Sequence, residues 1–133
     1  MRSPRLAADD GSAVVEFVLV SILVVGLLLA VLQVAVYVHV RNVVAASAQE
    51  GARYGANADV DSTAGAARTR ELVSSAVSGE AADGLYCMAG EELGQGGATI
   101  VVVDCTGAVP SLFAPLGDLL PIEATGRALK EGR

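Results

Sequence analysis

One stretch of this chain limits what it can fold into: the segment from Phe17 to Val40 contains no Asp, Glu, Lys or Arg. As an α-helix this segment would measure roughly 36 Å, at about 1.5 Å per residue. That length crosses the ~30 Å hydrocarbon core of a bilayer with room for tilt. Tyr37 and His39, near its end, carry rings that suit the membrane interface. The segment therefore predicts a retained transmembrane helix over residues 12–40.

Two other structures explain an apolar run near an N-terminus less well. A cleaved secretory signal has an apolar region of about 7–15 residues followed by small residues. Ala46-Ser47-Ala48 offers such a site, but the apolar run is too long for that class. A buried core helix of this length and uniformity is also unexpected in a chain of 133 residues. Release of a small secreted domain by cleavage near Ala48 stays open as an alternative.

The charges that flank the run predict its orientation. Arg2, Arg5 and the amino terminus precede it, whereas Arg41 follows it. Because basic residues are retained on the cytoplasmic side, this count favours a cytoplasmic N-terminus by a small margin. A disulfide between Cys87 and Cys105 would favour the same orientation, since it needs an oxidising compartment. We expect a single pass with the C-terminal part outside the cytoplasm.

The composition argues against several classes of function. The net charge is −6 and the nine basic residues are scattered, so no basic cluster is available for nucleic-acid phosphates. The only histidine, His39, falls in the apolar run, and two cysteines alone do not complete a metal site. The sequence shows no nucleophile–base pair and no paired carboxylate motif. We therefore expect no enzymatic activity, no cofactor and no small-molecule substrate.

The helical pattern continues past the apolar run in RNVVAASAQEGARYGA, which is rich in alanine and lacks proline. Apolar residues at helical spacing extend the predicted helix to about residue 58. Gly51 and Gly55 form a G-x-x-x-G pattern, which allows two helices to approach closely. Either another helix packs there, or the protein's own domain covers this face. A second helix is expected over about residues 63–77, capped by Asp61 or Ser62.

The C-terminal half predicts a small sheet. Residues 79–97 contain six glycines and are expected to form a loop, in which GQGG lacks the G-K-[ST] of a phosphate-binding loop. Residues 99–104 are β-branched up to Asp104, which predicts a strand. An alternating pattern over 122–129 predicts a second strand, antiparallel to the first. The predicted fold class is α+β: a long N-terminal helix, a second helix and a C-terminal β-hairpin.

The connection between the two predicted strands has an apolar middle that contains Leu112, Phe113, Leu116, Leu119 and Leu120. Prolines on both sides of this stretch limit regular structure. We expect either a short helix lying on the sheet or a surface patch for a partner.

Cys87 and Cys105 lie 18 positions apart. A disulfide between them would tie the glycine-rich segment to the end of the first strand and would contribute about 3 kcal/mol in the chain-entropy model. A redox pair usually has C-x-x-C spacing, which is absent here. A structural disulfide is therefore the prediction, with two free thiols as the alternative.

Glu16 places a carboxylate at the start of the apolar run, where an unpaired charge is costly. One interpretation is that it reaches lipid headgroups. The other involves Gly11, five residues earlier. A cut between Gly11 and Ser12 would leave an ammonium group about one helical turn from Glu16. In a bundle of such helices, Glu16 of one chain would pair with the amine of a neighbour and set the stagger between subunits.

These features resemble the processing signal of type IV prepilins, in which a short polar leader ends in glycine and glutamate stands at the fifth mature position. More closely, the chain resembles the TadE-like pseudopilins of the tight-adherence (Flp) pilus system. The resemblance rests on GSAVVEF, on HVRN at the exit of the apolar helix, on EGARYGA after it and on the C-terminal PIEATGRALKE. The middle of the chain is not matched.

The resemblance implies a pilin-like fold and a processing step. A prepilin peptidase would cut between Gly11 and Ser12 on the cytoplasmic side, leaving residues 12–40 as anchor and 41–133 as an extracytoplasmic domain. The protein would be a minor subunit in the cytoplasmic membrane, alongside other pilins and pseudopilins and the Tad platform proteins. An anchored accessory of a secretion locus that never enters a fibre is the other alternative.

Overall fold

The computed structural model describes residues 9–77, 79–110 and 119–132, and residues 1–8 of the predicted leader lie outside them. The chain divides into two compact units, Met1–Ala35 and Val36–Arg133, and we call the second unit the head. The elements are the helices α1 (Asp9–Ala56), α2 (Ala64–Ala76) and α3 (Gly79–Asp83) and the strands β1 (Tyr86–Leu93), β2 (Thr99–Pro110) and β3 (Leu119–Leu129).

The head contains a three-stranded antiparallel sheet in the order β1-β2-β3. Together with the long N-terminal helix and α2, this sheet confirms the predicted α+β class. Both β2 and β3 are longer than the segments 99–104 and 122–129 that the sequence predicts as strands. Of the predicted apolar middle of the connection, residues 112–116 lie outside the described residues. Leu119 and Leu120 are not in the connection, because they begin β3 and pair with β2.

Residues 79–97 do not form the predicted loop, because they hold α3 and β1. β1 pairs with β2 along its whole length. Pairing with a β-branched neighbour overrides the weak strand propensity of β1 itself, which is why composition alone is misleading here. Gly96 and Gly97 have φ angles of 76° and 79°, in the left-handed region that favours glycine. GQGG is thus the turn of a hairpin.

Two prolines lie inside strands at positions where the sheet tolerates them. Pro121 is in β3, an edge strand with one side outside the sheet's hydrogen-bond ladder. Pro110 lies beyond the last pairing of β1, which joins Tyr86 to Thr106. Because proline has no backbone N–H, both residues fit where no donor is required.

A stripe of α1 residues spaced four apart is buried in the head, as expected for one face of a helix. Its members are Val40, Val44, Ala48, Ala52 and Ala56. From the sheet, Val103, Cys105 and Ile122 belong to the same core.

The C-terminal end of the apolar run is part of the head. Val40 is buried in its core and Tyr37 packs against that core. The Tyr37 hydroxyl also donates a hydrogen bond to the carbonyl oxygen of Pro121 at 3.1 Å. Residues at the end of the predicted membrane segment 12–40 therefore also serve the folding of the head.

A close approach between a helix and the sheet joins α1 to β3. A Cβ added at Gly126 would overlap the carbonyl group of Ala48, so that glycine is required for this contact. Next to it, the Gln49 side-chain amide pairs with the backbone of Arg127. Its Nε2 donates to the Arg127 carbonyl oxygen at 2.7 Å, and its Oε1 accepts from the Arg127 N–H at 3.2 Å. The glycine and the amide together fix α1 on the strand.

Glycines also allow α1 to contact α2. A Cβ at Gly51 would overlap the Thr69 hydroxyl, and a Cβ at Gly55 would lie 2.8 Å from the carbonyl oxygen of Ser62. The Thr69 hydroxyl is satisfied locally, since it donates to the Gly65 carbonyl oxygen at 2.8 Å. The G-x-x-x-G face is thus covered by α2 and the turn before it, within the head.

Lys130, the only lysine of the chain, joins the last strand to the end of α1. Its Nζ donates to the carbonyl oxygens of Gly55 at 3.0 Å and Val60 at 2.9 Å, and to Ser62 Oγ at 3.0 Å. Ser62 Oγ donates in turn to the Glu91 carboxylate, which lies 3.8 Å from the ammonium group. We call these five residues the polar latch. It places a cation at the C-terminal end of α1, where the helix dipole is negative.

Asp61 organises the turn that precedes α2. Its Oδ1 accepts hydrogen bonds from the Thr63 hydroxyl at 2.5 Å and from the Thr63 N–H at 2.8 Å. These two bonds, with a smaller contribution from the Lys130 charge, hold the pKa of the Asp61 carboxyl below its usual range. Of the two capping residues that the sequence suggests, Asp61 orders this turn and Ser62 belongs to the polar latch.

Gly126→Ala is expected to destabilise the head by about 3 kcal/mol or more, because the backbone of α1 blocks the new methyl group and has no rotamer to change. The matched control is Gly90→Ala, a strand glycine at which an added Cβ meets nothing within 4 Å. That variant should be neutral or more stable by about 0.5 kcal/mol. Denaturant unfolding of the full-length protein in detergent measures both, and equal stability of the two variants would contradict the contact.

Candidate membrane anchor and subunit-pairing site

The N-terminal unit exposes apolar side chains on every side of α1. From Val14 to Val34 the large apolar residues are exposed, with Phe17 at 72% and Leu23 at 67%. These positions extend over about 30 Å of helix, which matches the hydrocarbon thickness of a bilayer. Among the described residues, this is the one helix long and apolar enough to cross a membrane. A helix that is apolar all round requires an apolar environment, which lipid or neighbouring helices supply.

Glu16 is the only formally charged residue between Gly11 and Val40. It is exposed, as are Gly11 and Ser12. α1 places Glu16 one turn after Ser12, about 6 Å further along the helix axis. The Gly11–Ser12 bond lies in the first described turn of α1. The three residues therefore lie together on one exposed stretch of the helix.

A recess lies on the same face of the helix as Glu16. At about 100° per residue, Ala30 and Val34 come within roughly 40° of the direction of Glu16. With Val31 and Ala35 they line a shallow depression on the helix surface. Small side chains on one face allow neighbouring helices to approach. Ala30 and Val34 thus place part of this depression on the face that carries the carboxylate.

In the head, Cys87 and Cys105 are joined by a disulfide. The two residues stand directly opposite each other in β1 and β2, so the bond links two paired strands and not a loop to a strand end. Their Cα atoms are 4.1 Å apart, close to the spacing of ~4.5 Å for an antiparallel pair without mutual hydrogen bonds. The disulfide reinforces the pairing of the edge strand β1 from the core side.

The groups of the polar latch form hydrogen bonds with one another inside the head. A cleft of about 480 Å³ lies beside the polar latch, but the Lys130 ammonium group already donates three hydrogen bonds there. Among the described residues, no group of three or more His, Cys, Asp or Glu side chains is arranged to hold a metal ion.

Sequence reasoning missed the polar latch and the pairing of Gln49 with Arg127. The hydrogen bonds of Lys130 and of Gln49 join residues 68 to 78 positions apart. The one available signal is the single lysine inside PIEATGRALKE. The spacing of Gly51 and Gly55 predicts a packing face but does not identify its partner.

An N-terminal helix able to cross a membrane, followed by a small α+β head, defines a class of single-anchor proteins. Within it, the family described as TadE-like protein matches residues 11–53 of this chain. The matched segment contains Gly11, Ser12, Glu16 and the apolar run. Over these residues the chain is similar to the TadE-like family, and the resemblance predicted from the sequence is confirmed there. No curated protein and no solved structure matches the chain.

Reduction of the Cys87–Cys105 disulfide is expected to lower the free energy of unfolding of the head by about 3 kcal/mol. Non-reducing mass spectrometry of protein extracted from membranes, after alkylation of thiols, should find neither cysteine labelled. The double variant Cys87→Ala/Cys105→Ala is the control for the effect of the reductant itself. Two labelled cysteines in the folded protein would contradict the disulfide.

Proposed function

We propose that this protein is a minor pseudopilin of a tight-adherence (Flp) pilus, anchored by one transmembrane helix and processed between Gly11 and Ser12. The observation that carries the proposal is the placement of Glu16. It is an exposed carboxylate near the start of a helix that is apolar on every side, four residues after Ser12 and inside the TadE-like match.

Processing would turn Glu16 into one half of a charge pair. The new amine at Ser12 and the carboxylate of Glu16 would lie about 6 Å apart along each helix. A direct pair between two subunits requires their helices to be offset along the bundle axis by about this distance. Because an unpaired carboxylate among apolar side chains is costly, other offsets would be disfavoured. The pair would therefore select one stagger between subunits.

The position of the Gly11–Ser12 bond supports access by a membrane peptidase. The bond is in the first described turn of α1, and an added side chain at Gly11 would meet nothing within 4 Å. Glycine is a poor helix former, so unwinding this turn into an extended substrate costs little. The proposed partners are a prepilin peptidase, other pilins and pseudopilins, and the Tad platform proteins in the cytoplasmic membrane.

The proposed orientation has the N-terminus in the cytoplasm and the head outside it. Arg2 and Arg5 on the N-terminal flank support it, as does the disulfide in the head, which needs an oxidising compartment. The head's own role is structural in this proposal, and no catalytic step is assigned to it.

Burial argues against the alternative of a small domain released near Ala48. Ser47 and Ala48 are buried inside α1. A product that begins at Gln49 would lack Val40 and Val44, which belong to the core of the head. The remaining head would expose the apolar surfaces that these residues cover.

N-terminal sequencing of the membrane-extracted protein should give a chain that begins at Ser12, because the peptidase acts after glycine. Gly11→Leu should abolish this cut, while Gly26→Leu, at another glycine of α1 where an added Cβ meets nothing within 4 Å, should leave it unchanged. A mature protein that begins at Met1 or at Gln49 would overturn the processing step.

Glu16→Ala should leave membrane insertion intact and reduce recovery of the protein in sheared pili by at least about tenfold, because the subunit pair is lost while the anchor becomes more apolar. Immunoblots of the membrane and sheared fractions from piliated cells measure both quantities.

Glu50→Ala is the matched control, since Glu50 is also an exposed carboxylate on α1 but lies in the head. Normal recovery of Glu16→Ala in pili would leave Glu16 with only a headgroup contact. Absence of the unaltered protein from pili, with normal processing, would favour an anchored accessory that does not enter the fibre.

A further inference from the structure

The hydrogen bonds of Arg127 establish which backbone groups of the sheet point outward. Its N–H and C=O both bind Gln49 on α1 and so face away from β2. Its partner in register is Val102, whose backbone groups consequently face β1. Val102 is opposite Gly90, so the even-numbered residues of β1 bind β2. The hairpin turn is consistent with this assignment, because the N–H of the even-numbered Gly94 donates to the carbonyl oxygen of Ala98.

The odd-numbered residues of β1 therefore direct their N–H and C=O groups to the outer edge of the sheet. They are Cys87, Ala89, Glu91 and Leu93. Among the described residues, no hydrogen bond reaches these backbone groups. The β3 edge differs, since Tyr37 binds the carbonyl of Pro121 and Gln49 binds Arg127. The β1 edge is open over eight residues without proline or lysine, the devices that usually protect such edges.

We propose that β1 pairs antiparallel with β1 of a second copy of this chain, about a two-fold axis at Ala89. The two sheets then form one six-stranded sheet. In this register Ala89 faces Ala89 of the second copy and Cys87 faces Glu91. These are the outward-pointing residues, so each pair exchanges two backbone hydrogen bonds.

The side chains of β1 are self-complementary in this register. Met88, which is 60% exposed, stands opposite Gly90 of the other copy, and a Cβ at Gly90 meets nothing within 4 Å. Tyr86, 65% exposed, stands opposite Glu92. No glutamate faces a glutamate, which avoids the cost of opposed like charges.

The charges of β1 favour a second copy over a basic partner strand. Glu91 lies 3.8 Å from Lys130, and Glu92 lies 3.9 Å from Arg127, both within one chain. The two carboxylates thus already have cationic neighbours and require none from a partner. One edge alone buries little area, but confinement of two anchored chains to one membrane raises their effective concentration. That last step rests on the proposed membrane anchor.

Cysteine crosslinking of the full-length protein in membranes tests the register. Chains carrying Met88→Cys and differently tagged chains carrying Gly90→Cys are expressed together and oxidised. Both positions are on the face opposite to Cys87 and Cys105, since side chains alternate along a strand. The expected result is a covalent dimer that carries both tags.

The matched control is Tyr86→Cys in both chains, whose cysteines would lie about 20 Å apart in the proposed register. Crosslinking of the Met88→Cys and Gly90→Cys pair should exceed this control by at least about tenfold, a ratio expected for directly opposed against distant positions. Ala89→Pro removes the central outward N–H without touching the bonds to β2 and should abolish the dimer, whereas Ala89→Ser should retain it.

No dimer from the central pair, equal yields from both pairs, or a crosslink only to a different protein would overturn the proposal. If Ala89→Pro exposes the thiols of the native disulfide, the strand has unfolded and the crosslinking pairs decide alone. Alkaline extraction of the same membranes separates failure of the anchor, which releases the protein, from failure of the pairing, which does not.

Discussion

The head depends on the contact between the backbones of α1 and β3. Gly126 permits the approach, and Gln49 fixes it through two hydrogen bonds to Arg127. Because Ala48 contacts the strand, the buried stripe of α1 faces the core. The same orientation of the helix places Gly51 against α2. Both packing arrangements therefore follow from one close approach. A single methyl group at Gly126 would separate α1 from the strand and from the core that the two share.

The C-terminal end of the chain completes the helix with which the head begins. The last carbonyl groups of a helix lack intrahelical donors. Gly55 receives its donor from the Lys130 ammonium group, and Ala56 from the Glu131 N–H at 2.9 Å. The Lys130 side chain is only 19% exposed, and hydrogen bonds from a charged donor contribute about 1.5–3 kcal/mol each. The last carbonyl groups of α1 thus receive their hydrogen bonds from the residues that follow β3.

How well the sequence predicts a structural feature depends on how far apart along the chain the residues of that feature lie. Neighbouring residues determine the long helix, the spacing of Glu16 after Gly11, and the strands at 99–104 and 122–129. Periodicity and propensity detect such local patterns. The glycines and glutamates of β1 carry no strand signal and predict a loop, whereas pairing with β2 makes this segment a strand. The polar latch joins Lys130 to residues up to 75 positions away, and no local pattern reveals such contacts.

The charged side chains of the two units differ in how much they can contribute to recognition of a partner. The ion pairs of the head are largely exposed, as in Arg68–Glu71 and Arg127–Glu92, and such pairs contribute about 0–1 kcal/mol each. Their loss or exchange changes little in how two heads recognise each other. Glu16 differs because its surroundings are apolar, where leaving a carboxylate without a partner costs several kcal/mol. In the proposed function, recognition by the anchor would therefore depend on the single carboxylate of Glu16, whereas the head would contribute shape and backbone hydrogen bonds.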